Sequence, residues 1–437
     1  MMRTGMILGL LLWSGVAVAA LPIQHWQLDN GAQVYFVENH DLPIIDVSVD
    51  FPAGSAYDPV GKEGVASLTR RLLDQGAGGL TDVQIAGQLA DVGATLGGHF
   101  DADRAGVTLR TLSRPDEAHQ ALSLMTAVID KPAFAASVVE REKARVIDAL
   151  RQSDGEPQVI AAVAFQKAVF AGHPYAHRET GEIATVSPLA STDLQAFYRS
   201  HYTAGNAVIS LVGDMTRAQA DAIAHQLTAG LVPGKGDVPP LPSVPALTDA
   251  QVRNIPFPSH QSQIFMGQPG VARGDPDYYA LYVGNYVLGG GGFDSRLMND
   301  VRQKRGLAYS VYSYFIPMRV GGVFQIGLQT RADQTGQALQ VVRQTVDDFM
   351  AQGVTPAELT QAKNSIVGGF PLRIDSNAKL LDYVAMIGFY GLPLDYLDTF
   401  PTQVQTVTAN QIAEAFRRHL NAGKMVTVVV GAATAAK

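Results

Sequence analysis

LQAFYRSHYTAGNAVISLVG, from Leu194 to Gly213, recurs as IAEAFRRHLNAGKMVTVVVG, from Ile412 to Gly431. One offset, 412 less 194 or 218 residues, relates every pair: Tyr198 to Phe416, Arg199 to Arg417, His201 to His419, Ala204-Gly205 to Ala422-Gly423, Gly213 to Gly431. Working outward, Gly54 matches Gly270, Asp58-Pro59 matches Asp275-Pro276, and Glu140 matches Glu358 at almost the same spacing. Chance supplies one such pair but not an ordered series. The chain therefore reads as two copies of one domain, each of about two hundred residues, a usual domain size.

The boundaries follow from composition. Leu231 to Ala250 carries Pro233, Pro239, Pro240, Pro242 and Pro245, which favours an extended, semi-rigid spacer. The predicted division is a leader at 1–20, a first domain at 21–230, a linker at 231–250 and a second domain at 251–437. The leader MMRTGMILGLLLWSGVAVAALP has one cation, Arg3, an apolar run from Met6 to Trp13 and small residues at Ala17 and Ala19. That is the pattern of a secretory signal cut near Ala19 or Ala20. A retained anchor is the competing reading, but the apolar run is shorter than the ~20 residues a spanning helix needs. The expected location is periplasmic or secreted, with no membrane span after cleavage.

Within each copy the hydrophobic period alternates between strand and helix. Ile45, Val47, Val49 and Phe51 alternate with Asp46, Ser48 and Asp50, as in a half-buried strand. Val65, Leu68, Leu72 and Leu73 then fall on one helical stripe. Val107–Leu109 and Ile326–Leu328 read as matching strands, the first after a bend at Gly97-Gly98-His99, and Glu140–Leu150 and Leu359–Val367 as matching helices. The fold class expected is α+β, each copy a sheet with helices over one face. The order of the strands does not follow from these patterns.

Composition removes several function classes. Against 40 acidic residues stand 33 Lys and Arg, a net charge of −7, which argues against nucleic-acid binding. Hydrophobic residues at 47% and charged residues at 17% exclude a disordered chain. Cysteine is absent, so any metal here binds nitrogen or oxygen, and no thiol nucleophile exists. HPYAH sets His173 and His177 four apart, yet Pro174 between them cannot continue a helix, so a structural turn is expected. His99 reads as satisfied or on the surface, and His201 and His419, repeated in both copies, read as packing residues. No GxSxG or SxxK signature is present.

The second copy holds the candidate chemistry in LGGGGFDSRLMNDVRQKRGLAYSVYS, Leu288 to Ser313. Gly289, Gly290, Gly291 and Gly292 allow close backbone approach or a mobile loop. A helix is expected from a cap near Asp294 to just before Gly306. It directs Arg302 toward the following strand, which begins at Tyr309. A guanidinium and a phenol converging there can hold a peptide carbonyl; an Arg capping carbonyls and a Tyr in the core is the bland alternative.

These residues and the doubled architecture resemble the insulinase or pitrilysin family of zinc peptidases, in its two-domain branch with the mitochondrial processing peptidase. The resemblance spans nearly the whole mature chain. It implies a mainly antiparallel sheet in each domain, the two together forming half of a clamshell. It also implies that Arg302 and Tyr309 contact the substrate backbone. The family's metal site is HxxEH on a first-half helix plus a later Glu. By that resemblance the corresponding residues here are Ser67, Arg70, Arg71 and Ala149, with Glu142 matching an accessory carboxylate that has nothing left to orient. Ser67 is a poor ligand, Ala149 offers no donor, Arg71 is a permanent cation and Arg70 holds its proton at any accessible pH. No metal is expected in this chain. The implied role is a non-catalytic, substrate-binding subunit. A homologous HxxEH-containing partner would supply zinc, and an extended peptide is the substrate. A non-enzymatic scaffold or peptide-binding protein is the alternative.

Overall fold

The computed structural model describes residues 22–431, so the predicted leader lies outside the described residues. Eleven strands form two sheets. β1 (Gln24–Gln27), β2 (Gln33–Glu38), β3 (Ile44–Phe51), β4 (Thr95–Phe100), β5 (Ala105–Leu112) and β6 (Val208–Gly213) take the order β1-β2-β6-β3-β5-β4. β7 (Gln251–Pro256), β8 (Gln261–Pro269), β9 (Ala308–Ile316), β10 (Val323–Arg331) and β11 (Val426–Gly431) take the order β7-β11-β8-β10-β9. Apart from β1 the two orders correspond strand for strand, and each sheet has a single parallel pair, β2 with β6 and β7 with β11. The repeated segment supplies β6 and β11, each beside its parallel partner. Between the helix ending at Thr228 and β7 the chain forms no helix or strand.

Each sheet carries its own helices on one face, as expected for two α+β copies. The other face is covered by the opposite copy. The Pro157–Val169 helix packs on β8 and β11 of the second sheet, and the Asn377–Tyr390 helix packs on β2, β3 and β6 of the first. These two helices are themselves counterparts, 220 residues apart by 377 less 157. Ala161, Phe165 and Val169 meet Phe265, Val426 and Val428 in one apolar cluster, with the Phe165 and Phe265 rings 5.7 Å apart. Burial of this kind is worth about 25 cal/mol per Å² of apolar surface.

The reciprocal cover corrects two readings of the first copy. β3 is buried on both faces, not half-buried. Its polar face keeps partners under the Asn377–Tyr390 helix: Arg110 donates to both oxygens of Asp46, and Ser48 donates to Asp50. The glycines at Gly97 and Gly98 form no bend but lie within edge strand β4, paired with Thr108 and Val107. Gly98 is small because Arg70 lies against it: a Cβ there would overlap the guanidinium, whereas one at Gly97 would press on Thr108 Oγ1 at 3.2 Å. His99 is satisfied, pairing through Nε2 with buried Asp50.

Candidate functional site

Two candidate groups of residues stand in the structure, one in each copy. In the first, the Val65–Leu72 helix begins at Gly64, whose φ of 101° a side chain rarely adopts. Buried Asp58 accepts from Gly64 N at 2.7 Å and Ala66 N at 2.8 Å, capping the helix start. Burial is the dominant influence on Asp58 and pushes its carboxyl up to about 7 against those two donors. Val65, Leu68, Leu72 and Leu73 are buried as their spacing predicts. That orientation sends Arg70 to the sheet, where Nε donates to Gly106 O and Nη2 to Gly97 O at 2.7 Å. Arg71 lies on the open side of the helix.

Facing it is the Ala136–Ser153 helix, which carries Glu142 and, two turns on, exposed Ala149. Glu142 is not idle, which corrects the expectation that it has nothing to orient. Arg71 Nε is 3.2 Å from its Oε2, Arg145 Nη1 is 2.6 Å from Oε1, and Arg141 Nε is 3.1 Å from Oε1. Burial pushes the Glu142 carboxyl up, but the three guanidiniums outweigh it and hold the group below its ordinary range. Zinc in such a site takes three nitrogen or oxygen donors free of competing cations. Ser67, Arg71 and Ala149 do not fit that requirement, and Glu142 is already committed to arginine.

In the second copy a turn at Gly292–Asp294 leads to Ser295, whose Oγ accepts from Met298 N at 3.4 Å. Ser295, not Asp294, opens the helical segment. That segment closes as a π-helical turn over Met298–Gln303 and stops at Gly306, φ 63°. The glycine run gives close approach rather than slack, because a Cβ at Gly289 would lie 2.6 Å from Ser313 N. Asn285 and Ser313 tie the same place together, Nδ2 donating to Ser313 O at 2.8 Å and Ser313 Oγ donating to Oδ1 at 2.7 Å.

Arg302 and Tyr309 are brought together. The Arg302 guanidinium carbon sits 4.8 Å from the Tyr309 ring centroid and 4.8 Å from that of Phe293. Tyr309 is 81% exposed and Phe293 62% exposed, which rejects the core-tyrosine alternative. The Arg302 side chain donates to no side chain or carbonyl among the described residues. Its fork is clamped between two aromatic faces with its N–H groups unspent. Sequence reading missed Phe293. The only signal was an aromatic residue directly after a glycine run.

The helical segment that carries Arg302 is anchored by Arg296, which donates to both carboxylate oxygens of Glu358 at 2.7 Å and to Gly353 O at 2.7 Å. Arg296 is the chief cause that holds the Glu358 carboxyl down at about 2. By linkage the pair favours the folded state above the ordinary Glu range and loses that contribution as pH falls toward about 2; because it is partly open to solvent, screening limits its worth to about 1 kcal/mol. Glu358→Gln is therefore expected to be less stable than the parent by about that much at neutral pH, with the gap closing in acid. Urea unfolding of both proteins at pH 7 and pH 2.5 checks this; a gap independent of pH counts against the pair.

His173, His201 and His419 have partners of other kinds among the described residues. His173 is buried with Nε2 3.0 Å from Pro242 O, and its Nδ1 accepts from Tyr175 N at 3.0 Å, so the HPYAH turn is structural. His201 stacks on Phe197 at 4.0 Å. His419 departs from its counterpart, lying 2.8 Å from Asp277 and 3.8 Å from Asp275. These three form the one group of possible ligands among the described residues. Arg418 already spans both oxygens of Asp277, at 2.7 and 2.8 Å, and fills the cation's place. No helix among the described residues is long and apolar enough to cross a membrane.

Comparison with known proteins matches both copies. Residues 33–180 match the family model "Insulinase (Peptidase family M16)", and residues 188–366 match "Peptidase M16 inactive domain". The crystal structure of a peptidase M16 inactive domain from Pseudomonas fluorescens is 39% identical, covering 95% of this chain and 99% of that one, with a TM-score of 0.92. A Helicobacter pylori protein named "Non-peptidase homolog YmxG" is 24% identical, covering 97% of this chain and 98% of its own length. A Bacillus subtilis protein named "Uncharacterized zinc protease YmxG" is 23% identical over 82% of this chain and 86% of its own.

Proposed function

From the premise that the chain belongs to the insulinase family, peptidase family M16, we propose that it is the non-catalytic, substrate-holding subunit of an exported heterodimeric zinc peptidase. A homologous partner carrying HxxEH supplies zinc and the general base. This chain supplies Arg302 and Tyr309, whose free donors hold the backbone of an extended peptide beside the partner's metal. Donors aimed at the scissile carbonyl oxygen also serve the oxyanion that develops there. The leader at 1–20 directs both subunits' meeting to the periplasm or the exterior.

The observation that carries this reading is the contrast between the two groups of residues. Arginine occupies the first and is tied to Glu142, whereas Arg302 of the second stands open between two exposed rings. A chain that offers donors to a peptide but no ligand set for a hydrolytic ion suits a place beside a chain that has one. The names of the two relatives quoted first, an inactive domain and a non-peptidase homolog, agree with this contrast. The test is to purify the chain alone and together with an exported HxxEH homologue from the same genome, then measure zinc by mass spectrometry and hydrolysis of extended peptides. Cleavage is expected from the pair only. Stoichiometric zinc in the lone chain, or hydrolysis by it, sinks the proposal.

A further inference from the structure

What stands in the metal's place is an arrangement with its own chemistry. Arg71 and Arg145 come from two facing helices and meet on one buried carboxylate, Arg71 on Oε2 and Arg145 on Oε1 of Glu142. Glu142 is 2% exposed, whereas the Arg71 and Arg145 side chains are 53% and 60% exposed. Each spends a single nitrogen on Glu142. Both terminal nitrogens of Arg71, and Nε and Nη2 of Arg145, have no partner among the described residues. Arg141 is different, because it is closed off by Asp82 at 2.9 Å and Gln75 at 3.1 Å.

Two guanidiniums repel each other, and free side chains of this length move independently. Here one buried anion holds them side by side, so the ordering entropy is met before any ligand arrives. Glu142 neutralises only one of the two charges, and the uncompensated one faces water. A planar fork matches a carboxylate through two parallel N–H bonds. The adjacent residue, Arg70, joins the same helix turn to edge strand β4 through Gly97 O, which brings this charged pair to the margin of the first sheet.

The geometry points to a carboxylate clamp in which Arg71 and Arg145 bind a peptide carboxylate, either a free C-terminus or an acidic side chain, where the metal site of the fold would lie. The inference rests on the proposed role in peptide binding and adds the charge of the peptide that is held. Glu142 is the positioning residue, and Arg71 and Arg145 touch the ligand.

The test is fluorescence anisotropy of the full chain with a dye-labelled extended peptide in three forms: free C-terminal acid, C-terminal amide, and amide with one internal Gln replaced by Glu. Charge-assisted hydrogen bonds predict that one or both carboxylate forms bind about tenfold or more tightly than the neutral amide. Which of the two does so identifies the source of the carboxylate. The advantage is expected to shrink in high salt, because both arginines are more than half exposed. It is expected to vanish in Arg71→Ala and in Arg145→Ala. The latter leaves Glu142 with two arginines, so unfolding is not a concern there. Glu142→Gln, which frees the arginines without removing them, is expected to keep part of the advantage. Equal binding of all three peptides overturns the clamp while the peptide-holding role stands. A carboxylate preference that survives both arginine variants also overturns it. Failure to bind any form overturns the clamp and the underlying role together.

Discussion

Arg302→Ala is expected to lower peptide hydrolysis by the assembled pair by about 10²- to 10³-fold, the loss seen when one oxyanion donor is removed elsewhere, with the pairing of subunits intact. The structural cost of the change is small. The Arg302 side chain makes no hydrogen bond to described residues, and an exposed guanidinium against two rings contributes only ~0.5–1 kcal/mol per contact. Loss of rate without loss of stability is thus the signature sought. A fall in kcat alone places the donors on the transition state, and a rise in KM alone places them on the ground state. Arg302→Lys is expected to restore little, since a point charge lacks the fork. Tyr309→Phe keeps the ring that supports Arg302 and removes only the hydroxyl. Unchanged hydrolysis by an assembled Arg302→Ala pair would instead favour a scaffold.

The largest effect on stability is expected at Asp103, in the turn between β4 and β5. It is fully buried, and it joins the two copies: Tyr390 OH and Arg319 N, from the second copy, each donate to Oδ2 at 2.9 Å, while Tyr175 OH donates to Oδ1. Burial pushes the Tyr175 and Tyr390 hydroxyls up, and the neighbouring carboxylate adds to that, so both remain protonated donors. Asp103→Ala strands one buried donor, Tyr175 OH, and two part-buried ones, and stranding a buried donor costs ~1–3 kcal/mol. A loss of about 3–5 kcal/mol is expected by urea unfolding. Tyr390→Phe removes one donor without stranding another and should cost about 1 kcal/mol. Parity between the two variants would show that Asp103 is not the joint described here.

How much of this was legible beforehand depends on the distance over which each residue is explained. The repeat at offset 218 is local in pattern, and it foretold two copies whose sheets share a strand order. The stripe of Val65, Leu68, Leu72 and Leu73 likewise foretold a helix and its buried face. β3 misled because Asp46 and Asp50 look like solvent positions, and the helix that covers them begins more than 300 residues later. β4 misled because Gly97 and Gly98 suggest a turn unless Arg70 is known to occupy the space above Gly98. Arg302 and Tyr309 could be placed together from spacing, but Phe293 could not, since a π-helical turn shifts the facing of the segment between them. Glu142 was read through the ligand it lacks, and its actual partners lie on its own helix and on the one opposite.

The exchange of helices between copies also sets an order of events on the ribosome. The first sheet is complete once β6 emerges, but its cover, Asn377–Tyr390, follows after more than 160 residues, on the order of 10–30 s of translation. During that interval the face bearing Asp46, Ser48 and Asp50 meets water, which its carboxylates tolerate. The second sheet never waits, for Pro157–Val169 already exists when β8 and β11 are made, and its matching face is the apolar one of Phe265, Val426 and Val428. The bared face is mixed, with polar side chains on β3 and with Tyr35, Val37 and Val212 of β2 and β6 awaiting the second copy's core, whereas the apolar face of the second sheet has its lid synthesised in advance.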